Sequence, residues 1–305
     1  MQRSDLRMFL ACVAIWGTTW LAITFQLGQI APEASVAWRF GLAALVLFGL
    51  CLRRGYVLRF PAHIQMRLVG MGLSMFTAGY LFVYYAEMHV VSGLVAVGYC
   101  ASPLVNQWAQ HLAFRRGISR RVTVGGLLGI VGIGCIFWPE LATLSADRNV
   151  WIGGLLTMGG VLSSAVGNLF SSQLERDGVN VWQKMCWSMA WGAAGCLVVA
   201  GVRGVPIGFS LAPSYLVSLA YLAILGSIVT FSYYLRLIET IGAGRAGYIG
   251  VMTPIVALTL SSIFEHYDWL PLSFAGIAVA VLGNVLIVMP AGRLRFFGNR
   301  AAATK

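Results

Sequence analysis

The run GGLLGIVGIGCIFWP, residues 125–139, returns 151 residues later as GIAVAVLGNVLIVMP, residues 276–290. Gly125, Gly132, Ile136 and Pro139 are matched by Gly276, Gly283, Ile287 and Pro290. Carried backward without a gap, the same offset sets Pro103 against Pro254. The chain reads as a duplication, with a first repeat over 1–143 and a second over 144–305.

Each repeat holds five apolar stretches, at 8–26, 34–52, 68–88, 92–114 and 122–138, then 152–174, 181–201, 215–238, 245–264 and 272–290. Most run near twenty residues, about what an α-helix needs to cross a bilayer, whereas barrel strands need only about ten of alternating polarity. Five crossings is an odd number, so the second half must enter the membrane upside down. The expected fold is therefore an all-α integral membrane protein: ten transmembrane helices as two inverted five-helix repeats around a central cavity. Loops are short and leave no room for a soluble domain.

Composition agrees. Hydrophobic residues make up 59% of the chain and charged ones 10%, against about 25% charged in soluble domains. The first apolar run, Leu6 to Gln26, is long enough to span and is read as a helix rather than a cleaved leader. The net charge of +11 invites a nucleic-acid partner, and its distribution rejects one. Seventeen of the 21 basic residues fall in alternate loops and the tail, including Arg53, Arg54, Arg115, Arg116, Arg120, Arg121, Arg293 and Arg295. That bias predicts both termini in the cytoplasm. Six scattered cysteines within apolar spans have no metal-ligand spacing, so they read as packing residues, and neither a metal nor a cofactor is expected.

Trp16-Gly17-Thr18-Thr19-Trp20 in the first span, Trp38-Arg39-Phe40 opening the second, Tyr85-Ala86 on the third, and the pairs Ser102-Pro103 and Thr253-Pro254 together form a pattern. It resembles the EamA-type carriers of the drug/metabolite transporter superfamily from about residue 8 to 290. In the sixth span Ser164-Ala165 stand where the repeat would place a second Trp-Gly. The resemblance implies a multi-pass protein of the bacterial inner membrane. Spans 1–4 and 6–9 would enclose the cavity, with spans 5 and 10 bracing it from outside. Export rather than uptake rests on this resemblance alone.

Residues three and four apart share a helix face, and polar groups inside a membrane point away from lipid. This gives Thr77, Tyr80, Tyr84 and Glu87 on span 3, Tyr99, Ser102 and Asn106 on span 4, and Ser164 and Asn168 on span 6. Of these, Thr77, Tyr80, Tyr84, Tyr99, Asn106, Ser164 and Asn168, with Trp16 on span 1, Thr230 and Tyr234 on span 8 and Tyr248 on span 9, form the expected substrate-binding set, while Glu87 reads as a gating residue. Pro103 and Pro254 each remove an intrahelical bond at matched places, the better pointer to a hinge in inverted-repeat carriers. Arg39 and Lys184 open the second span of each half and read as gating residues: Arg39 with Glu33 or Glu87, Lys184 with Glu175, Asp177 or Glu239.

No ATP-binding GxxxxGK[ST] is present, nor an HExxH or GxSxG, so enzyme chemistry has no support. Charged rings or carbonyl-filter motifs of a channel are also missing. The expected function is a secondary transporter, an exporter of small organic metabolites working by alternating access. An aromatic chamber without a fixed central charge points to amino acids or related neutral or zwitterionic solutes. Sugar-like or cationic drug-like cargo is the alternative, since aromatic faces hold both. Small solute and lipid are the expected partners, with the protein either a monomer or a homodimer.

Overall fold

The computed structural model describes residues 3–115, 117–143, 148–241, 246–265 and 270–288. The link between the two repeats at 144–147, Trp269, His266 and the basic tail lie outside them, as do the side chains of Trp138 and Glu239. Among the described residues the chain is built of helices, with no strand. They are α1 (Arg3–Thr24), α2 (Pro32–Arg53), α3 (Ala62–Glu87), α4 (92–114), α5 (Arg120–Thr143), α6 (Arg148–Arg176), α7 (Val181–Val202), α8 (213–241), α9 (Tyr248–Phe264) and α10 (Pro271–Val288).

Six of the described helices are long and apolar enough to cross a membrane: α1, α2, α3, α6, α7 and α8 over Pro213–Tyr234. Helix α9 and residues Pro271–Ile287 of α10 are apolar but shorter. Several helices outrun the apolar spans that announce them, α1 beginning at Arg3 and α6 running from Arg148 to Arg176. A charged terminal turn keeps helical geometry because its long side chains reach water while their stems lie on apolar surface. Helices α2 and α6 end by the same device. Gly55 (φ 70°) and Gly178 (φ 74°) adopt the left-handed conformation, and the next residue's N–H returns to Cys51 O and Leu174 O at 3.0 Å, closing the last turn.

Four of these helices are irregular inside. Helix α3 widens to a π-helix over Gly72–Gly79, and α8 over Tyr221–Val229. Helix α4 is broken into Ser92–Gly98, a 3-10 turn Tyr99–Ala101, and Ser102–Phe114. Pro254 lies within α9. The matched prolines thus act differently: Pro103 restarts a helix in its first turn, where a missing N–H costs nothing, while Pro254 sits inside a continuous one.

Helix α2 packs on α7, α1 on α8 and α9, α3 on α6 and α7, α4 on α6 and α9, and α5 on α10. The α5–α10 seam is made by glycine. A Cβ added at Gly276 would lie 2.6 Å from the Gly132 carbonyl oxygen, and one at Gly132 would lie 2.6 Å from Ala280 N. In lipid there is no hydrophobic drive between helices, so such backbone approach is itself the source of attraction. Gly276→Leu should lower stability by about 1–3 kcal/mol, the usual cost of overpacking. Gly134→Leu, at a position facing open space, should change little. Thermal unfolding in detergent checks both, and an unmoved midpoint for Gly276→Leu contradicts the close approach.

Candidate functional site: a central aromatic cavity

A cavity of about 330 Å³ lies among α1, α2, α3, α4, α6, α8 and α9. Its wall carries Trp16, Thr19, Trp20 and Ile23 from α1, Arg39 from α2, and Met75, Phe76, Tyr80 and Val83 from α3. Ala96, Tyr99 and Ser102 come from α4, Ser164 from α6, Phe231 from α8, and Gly250, Thr253 and Pro254 from α9. Helices α5, α7 and α10 contribute nothing to it.

The aromatic residues are held by one another. Trp20 meets Tyr99 with ring centroids 5.2 Å apart, Trp16 meets Phe231 and Tyr234 at 5.3 Å each, and Phe40 backs Tyr80 at 4.6 Å. Trp16 Nε1 donates to the Gly226 carbonyl at 3.1 Å, inside the π segment of α8. Tyr99 sits on the 3-10 turn before Ser102-Pro103.

Of the residues expected from the sequence, Trp16, Arg39, Tyr80, Tyr99, Ser164 and Pro254 meet on this wall. The others are turned elsewhere. Thr77 donates to the Gly192 carbonyl at 2.8 Å, and Tyr84, fully buried, donates to Gln26 Oε1 at 2.8 Å. Asn168 donates to Asn106 Oδ1 at 3.0 Å, joining α6 to α4. Thr230 returns its hydroxyl to the Leu225 carbonyl at 2.6 Å. Tyr234 packs behind Trp16; Tyr248 and Pro103, both partly buried, are not on the wall. Thr19, Trp20, Phe76, Ser102, Phe231 and Thr253 also line it, outside the expected set, with Ile23, Met75, Val83, Ala96 and Gly250. The Trp16–Trp20 and Tyr99–Ser102 spacings were the available signals for two of them.

Arg39 differs most from expectation. Expected as a gating residue paired with Glu33 or Glu87 at the start of the second span, it lies seven residues into α2, which begins at Pro32, about 10 Å of helix. The side chain is 2% exposed. Its guanidinium stands over the rings of Tyr80 (4.7 Å) and Phe40 (5.2 Å). Nε and Nη1 have no hydrogen-bond acceptor, and no described carboxylate comes within ion-pair distance. Burying a guanidinium costs several kcal/mol even after relaxation, and a desolvated cation–π contact returns about 2 kcal/mol. The chamber therefore has a fixed charge after all.

Glu33, expected near Arg39, is paired instead with Arg203, and both bond to the Tyr85 hydroxyl. The Tyr85 bond and the Glu33 carboxylate push Arg203 still further above its ordinary pKa. Glu87 is buried with both oxygens unpartnered. At the other end of α7, Lys184 Nζ pairs with Glu175 at 2.8 Å and donates to Ser171 at 3.2 Å, while Arg67 pairs with Asp177. Lys184 and Arg203, nineteen residues apart, stand roughly 28 Å apart along the helix axis, close to the thickness of a bilayer's hydrocarbon core. A further cluster was not foreseen. Glu265 accepts from Ser92 N at 3.1 Å and from the Ser92 and Ser261 hydroxyls, capping the start of α4.

A cavity surrounded by helices, most of them long and apolar enough to span a membrane, defines a helical membrane protein. Comparison with known proteins gives the family. The model described as the EamA-like transporter family matches residues 5–138 and again 151–289. The chain belongs to that family and is a membrane transporter. Among its relatives is the Escherichia coli K12 "Uncharacterized inner membrane transporter YedA", 27% identical over 291 residues, 92% of this chain and 91% of that protein. Bacillus subtilis "Uncharacterized transporter YoaV" is 24% identical, covering 90% of each. The E. coli K12 "Probable amino-acid metabolite efflux pump" is 20% identical, covering 93% of this chain and 94% of the other. A solved crystal structure aligns with a TM-score of 0.68 at 17% identity, over 96% of this chain and 99% of that one, and speaks to the fold.

The Asn106–Asn168 bond yields a direct test. A double-mutant cycle with Asn106→Ala and Asn168→Ala should give a coupling of about 0.6 kcal/mol and at most roughly 2 kcal/mol, as for other bonds between membrane helices. Unfolding in mixed micelles measures it. Additive single effects would show that the two amides do not meet.

Proposed function

We propose that the protein is a secondary exporter of amino-acid-sized metabolites, working by alternating access around the central cavity. The observation that carries this reading is the cavity itself. Its volume of about 330 Å³ is at the small end of ligand pockets, about 300–1,000 Å³, and its wall draws on helices of both halves. The relative named as an amino-acid metabolite efflux pump favours the same cargo class. The single charged group on the wall is cationic, which disfavours positively charged cargo.

In this reading all of α1–α10 cross the inner membrane, both termini lie in the cytoplasm, and the halves are inverted copies. Three observations support the inversion. The family model matches twice. The packing pairs exchange when each helix is replaced by its counterpart in the other half: α1·α9 with α4·α6, α3·α6 with α1·α8, and α3·α7 with α2·α8. The π segments of α3 and α8 fall within two residues of the 151-residue offset.

Trp16, Tyr80, Tyr99 and Ser164 contact cargo. Tyr84, Thr77, Asn106, Asn168, Thr230, Tyr234 and Tyr248 hold the helices that carry them. Bending at Pro103 and Pro254 opens one mouth as the other closes. Lys184 with Glu175 guards one membrane face, and Glu33 with Arg203 and Tyr85 the other, while Glu87 sits buried near the same end of α3.

Two measurements test the proposal. Proteoliposomes preloaded with an amino-acid mixture should show saturable counterflow of a labelled member, and Tyr99→Ala should lower its rate at least tenfold with expression unchanged. Absence of saturable exchange for every amino acid contradicts the cargo class. Reporter tags in the Arg115–Arg121 loop and on the C-terminal tail should report the same side of the membrane; opposite sides refute the inversion.

A further inference from the structure

Among the described residues Arg39 is the one charged side chain lining the cavity, and it is both buried and incompletely partnered. The protein answers it only in part. The Tyr80 and Phe40 rings offer their faces, which attract a cation but accept no N–H in the plane of the guanidinium. The Tyr84 hydroxyl gives its hydrogen to Gln26 and meets Arg39 with its oxygen, but Nε and Nη1 stay without an acceptor. Glu33 is engaged with Arg203. Glu87 forms no ion pair with it and is itself orphaned. A polar group buried this way inside lipid is costly unless something completes it.

We infer that Arg39 is the recognition point for a carboxylate on the cargo, so that the transported solutes carry one carboxylate, as amino acids and small monocarboxylic acids do. This deepens the exporter reading and rests on it. The guanidinium fork presents paired N–H donors that match a carboxylate's two oxygens. One fixed positive charge balances one carboxylate, and the wall holds no second cation for a phosphate dianion. The rest of the wall divides in a way that suits such a solute. Trp16, Trp20 and Tyr99 give apolar and stacking surface to a side chain. On α9, Pro254 has no N–H to offer the Gly250 carbonyl, and both residues line the cavity, so an acceptor is left for an amino group. A carboxylate bound here would give the guanidinium the anionic partner that the described residues do not supply.

The test pairs each L-amino acid with its amide and with its decarboxylated amine, against the purified full-length protein in liposomes. Binding is read from tryptophan fluorescence, since Trp16 and Trp20 line the chamber, and counterflow is measured separately with the same compounds. Wild type should bind the acids at least tenfold more tightly than the matched amides and amines, and small monocarboxylates should compete. In Arg39→Gln the acid-to-amide ratio should collapse to within about threefold of unity. Arg39→Lys should retain part of the preference. Arg59→Gln, altering an exposed loop arginine, should leave the ratio as in wild type.

A merely structural arginine would change stability without changing that ratio. The acid–amide comparison on wild type also decides the matter if Arg39→Gln fails to fold. Equal binding of acids and amides, an acid preference that survives in Arg39→Gln, or no binding by any acid would each overturn the inference. Saturable counterflow of amides or amines without acid preference would overturn it while leaving the carrier reading intact. Acid-selective binding without exchange would do the reverse.

Discussion

Hydrocarbon offers no partner to a backbone N–H or C=O, and this constraint shapes the whole molecule. Each backbone group must be satisfied within its own helix unless it is sealed by protein or faces a wet chamber. The regular helices obey it. The departures are not scattered: they gather at the cavity. Met75 and Phe76 lie on the π segment of α3, Tyr99 on the 3-10 turn of α4, and Gly250 and Pro254 on the proline-interrupted α9. The π segment of α8 takes the Trp16 indole on its Gly226 carbonyl. Irregular backbone and cargo chamber are thus two aspects of one arrangement. The π-turns and the proline leave some carbonyls poorly satisfied, and only a cavity or a side chain from the next helix can answer them.

Charge follows the same logic. The ion pairs at Lys184–Glu175, Arg67–Asp177 and Glu33–Arg203 stand toward the two ends of α7 and its neighbours, where water or headgroups are within reach. Arg39 alone among the cavity's lining residues carries charge inside. Its aromatic neighbours soften the burial without completing its hydrogen bonds. In a protein that must hold and then release a solute, an incomplete site is useful. The cargo supplies what the protein lacks, and departure costs no more than was gained.

Much of this was legible in the sequence because membrane helices advertise themselves by length and apolarity. The apolar spans and the recurring glycines of α5 and α10 follow from residue type and spacing. The helix-face argument worked for Trp16, Tyr80 and Tyr99, and failed in an instructive place. Thr77 and Tyr80 share a face on a regular helix, but the π segment Gly72–Gly79 changes the turn between them. Thr77 therefore bonds to α7 while Tyr80 faces the cavity. The wall on α3 instead follows Phe76, Tyr80 and Val83. No composition rule announces a π-turn, so this rotation was hidden. The expected pairing of Arg39 with Glu33 or Glu87 is absent among the described residues: Glu33 is engaged with Arg203, and the guanidinium turns to the Tyr80 and Phe40 rings.

The central claim is that the chamber around Arg39, Tyr80 and Tyr99 is where solute and water enter. Thiol accessibility measures this most directly, in a background lacking the six native cysteines with a single Ser164→Cys on the wall. A membrane-impermeant thiol reagent should label Ser164→Cys from one aqueous side, and a transported solute should protect it. Labelling from neither side, or labelling that no transported solute slows, would contradict the claim.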